Sequence, residues 1–151
     1  MRVLVAGAGI GGLVTALALE RRGIDVCVFE SARELAPLGV GINLLPHAMA
    51  ELAALDLLDA VAALGVRTAE LCYFNRHGQR IWREPRGLDA GYPVPQISVH
   101  RGRLQLALYT EARRRLGAGV IRSGCHLDAF ENEGGRVCAH FTDRAGGAAF
   151  E

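Results

Sequence analysis

Three glycines near the start constrain this chain more than any other feature. In the run MRVLVAGAGIGGLVTALALERRGIDVCVFE, Gly7, Gly9 and Gly12 follow the apolar residues Val3 to Ala6, and Glu30 closes a second apolar run, Val26 to Phe29. A short apolar run of this kind predicts a strand of a parallel sheet covered on both faces. Each glycine then has its own reason: Gly7 allows the tight turn out of the strand, Gly9 lets a pyrophosphate approach the backbone, and Gly12 lets the next helix pack close. That helix is predicted from about Gly11 to Arg22, with Leu13, Ala16, Leu17 and Glu20 at helical spacing. Arg21 and Arg22 suit its C-terminus and Gly23 the position just beyond. Glu30 stands 23 residues after Gly7, near the offset of a carboxylate that binds ribose hydroxyls and repels a 2′-phosphate. The pattern predicts a βαβ unit that holds a nucleotide by its phosphates at a helix N-terminus. FAD and NAD share the fingerprint, which by itself leaves the two open.

The same stretch mimics a secretory leader: Arg2 is followed by an uncharged run, and Ala16-Leu17-Ala18 resembles a cleavage site. Four interrupting glycines and the continuation into a second apolar segment argue against that reading, and no charge-free run is long enough for a membrane span. The 151 residues correspond to one domain by length, half of them hydrophobic, with a net charge of +1. Nothing in that balance points to nucleic acid or to an acidic membrane surface. Arg113, Arg114 and Arg115 read as the solvated end of a helix. The four cysteines, at 27, 72, 125 and 138, show no metal-binding spacing. Cys27 and Cys138 read as small buried hydrophobes, and a cytoplasmic setting is expected.

Beyond Glu30 the chain reads as mixed α and β. A glycine-rich turn at Gly39 and Gly41 leads to Pro46, well placed to open a helix. Leu52, Leu55, Leu58, Val61 and Leu64 continue at helical spacing in one broken or two consecutive helices ending at Gly65. Leu71 to Asn75 and Arg80 to Arg83 form a hairpin turning at His77-Gly78, with Tyr73 and Trp82 expected in its core. After a loop rich in Pro and Gly come a strand at Ile97 to Val99, a helix from Arg103 to Leu116 stopped by Gly117, and a strand at Val120 to Arg122. A second hairpin is predicted over 127–131 and 136–141, and a last strand at Ala148 to Phe150. His47, His100, His126 and His140 carry no spacing for a metal site, and no catalytic triad or paired carboxylate stands out.

The segments GAGIGGLVTALALERRGIDVCVFE, LGVGINLLPHAMAEL, EPRG and SVHRGRLQLAL together resemble the class A flavoprotein aromatic hydroxylases, the para-hydroxybenzoate hydroxylase-like FAD monooxygenases. Within them the chain looks most like the subgroup acting on phenazine carboxylates, with salicylate hydroxylases a step further. The resemblance implies an α/β, Rossmann-like FAD-binding fold with inserted antiparallel strands. By position, Gly7, Gly9, Gly11 and Gly12 would line the FAD pyrophosphate, and Glu30, with Ser31 beside it, would hold the ribose. Gly41 would let backbone pass near the flavin. Arg101 would bind phosphate oxygens through its planar fork, with Gln105 a secondary contact and the backbone of Leu127 near the adenine.

In that family NADH or NADPH reduces FAD, and a flavin hydroperoxide hydroxylates an aromatic small molecule, the hard chemistry belonging to the cofactor. No catalytic side chain is named. Full-length relatives carry downstream "GADG" and "GD" segments that are not found here. The chain is therefore expected to be an N-terminal part of the FAD-binding monooxygenase domain that includes the start of the substrate-domain sheet at about 66–100. It is expected to be inactive alone and prone to self-association. A non-catalytic, partner-dependent nucleotide module and an NAD-dependent dehydrogenase fragment are the alternatives.

Overall fold

A computed structural model describes residues 1–143 and the pair Ala149–Phe150. In chain order the elements are β1 (Arg2–Ala6), α1 (Ile10–Arg21), β2 (Asp25–Glu30), β3 (Gly41–Leu44), α2 (Pro46–Ala54), α3 (Leu58–Ala62), β4 (Val66–Thr68), β5 (Glu70–Phe74), β6 (Arg80–Pro85), β7 (Gln96–His100), α4 (Arg101–Leu116), β8 (Ile121–Ser123), β9 (Cys125–Glu133), β10 (Arg136–Asp143) and β11 (Ala149–Phe150). One turn of 3-10 helix, Gly87–Ala90, lies in the loop before β7. Ala148, the first residue of the expected last strand, lies outside the described residues. The chain divides into two units, Met1–Pro37 with Gln105–Glu151, and Leu38–Leu104.

In the first unit β1, β2 and β8 form a parallel sheet in that order, with Arg2 opposite Asp25, Ala6 opposite Phe29, and Val28 opposite Ile121. The central strand is the apolar one: Val26, Val28 and Phe29 are buried. The expectation that β1 is covered on both faces fails here, because β1 is an edge strand and its burial alternates, leaving Leu4 exposed. Leu13, Ala16 and Leu17 of α1 are fully buried at the predicted spacing. The helix stops one residue early, at Arg21, and Gly23 adopts φ +68° to donate its N–H to the Glu20 carbonyl at 2.8 Å.

A second, antiparallel sheet of this unit runs β11-β10-β9. Phe141 of β10 stacks on Phe29 of β2, ring centroids 4.1 Å apart, and Cys125 and Ala139 complete that apolar cluster. Cys27 and Leu127 pack against it. Cys27 and Cys138 are half-buried, contrary to expectation, and Cys125 is the buried thiol, its pKa pushed up chiefly by burial. Strand alternation explains the error: an apolar pattern does not say which of two faces the core covers. At the end of α4 the basic cluster is organised by one acid, since Glu111 accepts from Arg114 at 2.7 and 2.8 Å and from Arg115 at 2.6 Å. These bonds, that from Arg114 foremost, hold the Glu111 carboxyl down to about 2.

The second unit is built on β7, flanked on both sides by antiparallel partners in the order β3-β7-β4. Gln96, Ile97 and Val99 of β7 are buried. Sequence patterning missed β3 and β4, which are four and three residues long. Gly41 reads as a turn former, and pairing to β7 overrides that preference. Pro46 opens α2 as predicted, and the break before α3 is made by Asp56, whose φ is +60°. The β5–β6 hairpin is held at its turn by Asn75, whose Oδ1 accepts the N–H groups of His77 and Gln79 at 2.9 and 3.0 Å. Tyr73 and Trp82 are cross-strand partners with ring centroids 5.8 Å apart, yet 54% and 46% of their surfaces remain exposed. They form a surface aromatic pair, not a core, because a two-stranded ribbon has no second layer of its own.

Candidate functional site: a glycine loop and its supports

The loop between β1 and α1 turns at Gly7, whose φ of +102° favours glycine and whose N–H bonds the Phe29 carbonyl at 2.6 Å. A Cβ on Gly12 would lie 2.0 Å from the Gly7 carbonyl oxygen and 3.2 Å from Val5 Cγ1. Gly12 is therefore the closest approach of helix and strand. Gly9 and Gly11 differ. A Cβ at either would meet nothing within 4 Å, and Gly9, the N-cap of α1, has an ordinary extended conformation (φ −69°, ψ 174°). Neither strain nor internal packing requires glycine there. The first N–H groups of a helix have no acceptor within it, and Leu13 is the first of α1 to find one, the Gly9 carbonyl at 3.0 Å. No side chain caps this end and no acid occupies its first turn. The loop thus presents free donors and a positive dipole end, across open space, to an anion.

Glu30 ends β2 beside this loop. Its Oε2 accepts the Ala8 N–H at 2.7 Å, while Oε1 accepts the Ala32 N–H at 2.7 Å and the Ser31 hydroxyl at 3.3 Å. Each carboxylate oxygen has two acceptor sites, so the backbone bonds orient Glu30 without exhausting it. The Gln105 side chain donates from Nε2 to the Ala8 carbonyl at 2.9 Å. The side chain of Leu127 is turned to the Phe29–Phe141 cluster. Sequence reasoning passed over Ala8. Its complete burial between two glycines is visible only in three dimensions.

In the second unit Arg101 begins α4. Its N–H bonds the Val40 carbonyl at 3.0 Å and its Nη2 bonds the Leu38 carbonyl at 3.1 Å. Gly39, at φ +127°, lies beneath the side chain; a Cβ there would be 2.6 Å from Arg101 Nε. A guanidinium has five donors, so these contacts orient the exposed fork and leave donors for an anion. Gly41 is the first residue of β3, opposite His100, and not a turn residue.

His47 and His126 are exposed, and no group of three or more His, Cys, Asp or Glu able to hold a metal occurs among the described residues. No helix among them is long and apolar enough to cross a membrane.

Strand, glycine loop, helix and acid-terminated parallel strand, with an open helix N-terminus, define a dinucleotide-binding βαβ unit. Residues 1–151 match the FAD binding domain family, and the chain belongs to it, with a Rossmann-like FAD-binding fold. It is 49% identical over 148 residues to phenazine 1,6-dicarboxylic acid hydroxylase PhzS of Lysobacter antibioticus, covering 97% of this chain and 36% of that protein. It is 38% identical over 135 residues to 3-hydroxybenzoate 6-hydroxylase of Polaromonas naphthalenivorans (strain CJ2), covering 87% and 34%. Among solved structures, p-nitrophenol 4-monooxygenase PnpA from Pseudomonas putida DLL-E4 matches with a TM-score of 0.82 at 24% identity, over 97% of this chain and 37% of that one, a likeness of fold. The chain spans little more than a third of the length of these relatives.

Proposed function

We propose that this chain is the FAD-binding portion of an NAD(P)H-dependent aromatic-ring monooxygenase, with a phenazine carboxylate as the nearest substrate class. The observation that carries the nucleotide reading is the empty space in front of Gly9 and Gly11, glycines that the protein's own packing does not require. Identity to the phenazine hydroxylase supports the substrate class. Gly7, Gly9, Gly11 and Gly12 are assigned to the pyrophosphate, Glu30 with Ser31 to the ribose, and the Leu127 backbone to the adenine. Arg101 is assigned to phosphate oxygens and Gly41 to backbone passing near the flavin. Gln105 is assigned to the cofactor as well, in a secondary role. When bound, FAD supplies the redox and oxygen-activating chemistry. These residues bind and orient it, and no side chain of this chain is assigned a proton or a nucleophilic attack.

A hydroxylase must exclude water from its reacting centre, and the relatives are nearly three times as long. We therefore propose that residues 1–151 bind FAD without hydroxylating, that 66–100 begin a substrate-domain sheet, and that the setting is cytoplasmic. A groove of about 830 Å³ beside the β1 edge, lined by Leu4, Leu127, Phe130, Val137, Ala139 and Phe141 among others, supports coverage by further polypeptide or by a second copy. The test is reconstitution with FAD, followed by spectroscopy, NADH and oxygen consumption with product analysis, and light scattering. Bound flavin bands at about 370 and about 450 nm without hydroxylated product are expected. A chain that binds NAD and not FAD overturns the reading, and hydroxylated product from a monomer overturns the account of the missing cover.

A further inference from the structure

Ala8 is held at both ends of its residue by side chains remote in sequence. Its N–H is bonded by Glu30, 22 positions away, and its carbonyl by Gln105, 97 positions away. It is the one residue between Gly7 and Gly9, and it is fully buried. The consequence follows from peptide planarity. The Ala8 carbonyl and the Gly9 N–H belong to one trans peptide unit, so they point in opposite directions. A side chain that fixes the carbonyl also fixes the N–H. Glycine on either side leaves the loop backbone unusually free to rotate, so without such a hold the Gly9 N–H has no fixed aim. The amide of Gln105 suits this task, since only its NH₂ end can donate to a carbonyl.

We propose that Gln105 is a positioning residue for the phosphate loop: by holding the Ala8 carbonyl it aims the Gly9 N–H into the open space at the N-terminus of α1. Glu30 completes the clamp from the other side, in addition to its ribose role. The inference rests on the nucleotide reading of that loop, and it makes Gln105 act on the cofactor through backbone instead of by contact.

The experiment compares the parent chain with Gln105→Met, which keeps length and removes the donor, and Gln105→Glu, which keeps shape and sets a carboxylate against the carbonyl. FAD affinity is read by fluorescence quenching. ADP, which carries the pyrophosphate and no flavin, is titrated by NMR on ¹⁵N-labelled chain. Gln105→Met is expected to weaken FAD and ADP by the same factor, about tenfold, as for loss of one well-made hydrogen bond, and to shift the Gly9 amide resonance in the free protein. Gln105→Glu is expected to weaken both further, with the thermal midpoint kept. Loss of FAD affinity with ADP affinity intact would mean that Gln105 touches the flavin half directly, which overturns the clamp, as does unchanged affinity for both. Failure of the parent to bind either ligand instead overturns the nucleotide-site reading beneath it.

Discussion

At Gly9 and Gly11 an added Cβ would meet nothing within 4 Å, whereas at Gly39 it would lie 2.6 Å from Arg101 Nε, and at Gly12 2.0 Å from the Gly7 carbonyl. The loop after β1 and the turn before β3 are both glycine-rich. In the turn before β3 glycine is demanded by the protein: Gly39 clears a path for an arginine and needs its positive φ. In the loop after β1 the demand is split. Gly7 and Gly12 serve the fold, and Gly9 and Gly11 leave space that no part of the described chain fills. On the proposed function, Gly9 and Gly11 are the glycines assigned to the ligand. The difference separates stability from binding, and each can be measured alone.

The largest effect is expected at Gly9. Gly9→Val should abolish FAD binding in a fluorescence titration and change unfolding free energy by less than about 1 kcal/mol, since the side chain enters only the ligand's space. Equal affinity in variant and parent would break the comparison outright. Gly12→Ala should do the reverse at its root, destabilising the chain by up to about 3 kcal/mol in urea unfolding, because a methyl group there collides with backbone. An unchanged unfolding midpoint would show that helix and strand can part at little cost.

Arg101→Lys sharpens the other side. Charge is kept and the two-pronged geometry is lost, so FAD affinity should fall by on the order of 1–2 kcal/mol. A change in stability alone would make Arg101 a support for the Leu38–Val40 turn and nothing more. The smallest effect is a control away from both loops. Glu111→Gln should cost about 0.5–1 kcal/mol near neutral pH, as for a surface ion-pair group. With the folded carboxyl near 2 and its ordinary value 4.5, the parent's advantage is complete above 4.5 and disappears as pH falls through 2. The gap between parent and variant should therefore shrink on acidification, and a gap independent of pH would rule out the Arg114 and Arg115 bonds as its source.

Much of the first unit was legible because its signals are local. The spacing of Gly7, Gly9 and Gly12 sets a turn, a surface and a contact within six residues, and Glu30 has to end the strand that follows the helix. Pro46 at the start of α2 and the Asn75–Gly78 turn are local too, each acting through its own φ or its own side-chain hydrogen bond. Tertiary structure decided the rest. β3 and β4 are strands because β7 lies between them, since three or four residues cannot hold an extended shape unaided. Tyr73 and Trp82 are exposed because nothing in the ribbon's own pattern says whether a layer covers it. Ala8 is gripped by residues 22 and 97 positions away, and Arg101 by a carbonyl 63 positions away. A hydrogen bond closed over such separations leaves no periodicity and no spacing in the chain; only the folded backbone brings its donor and acceptor together.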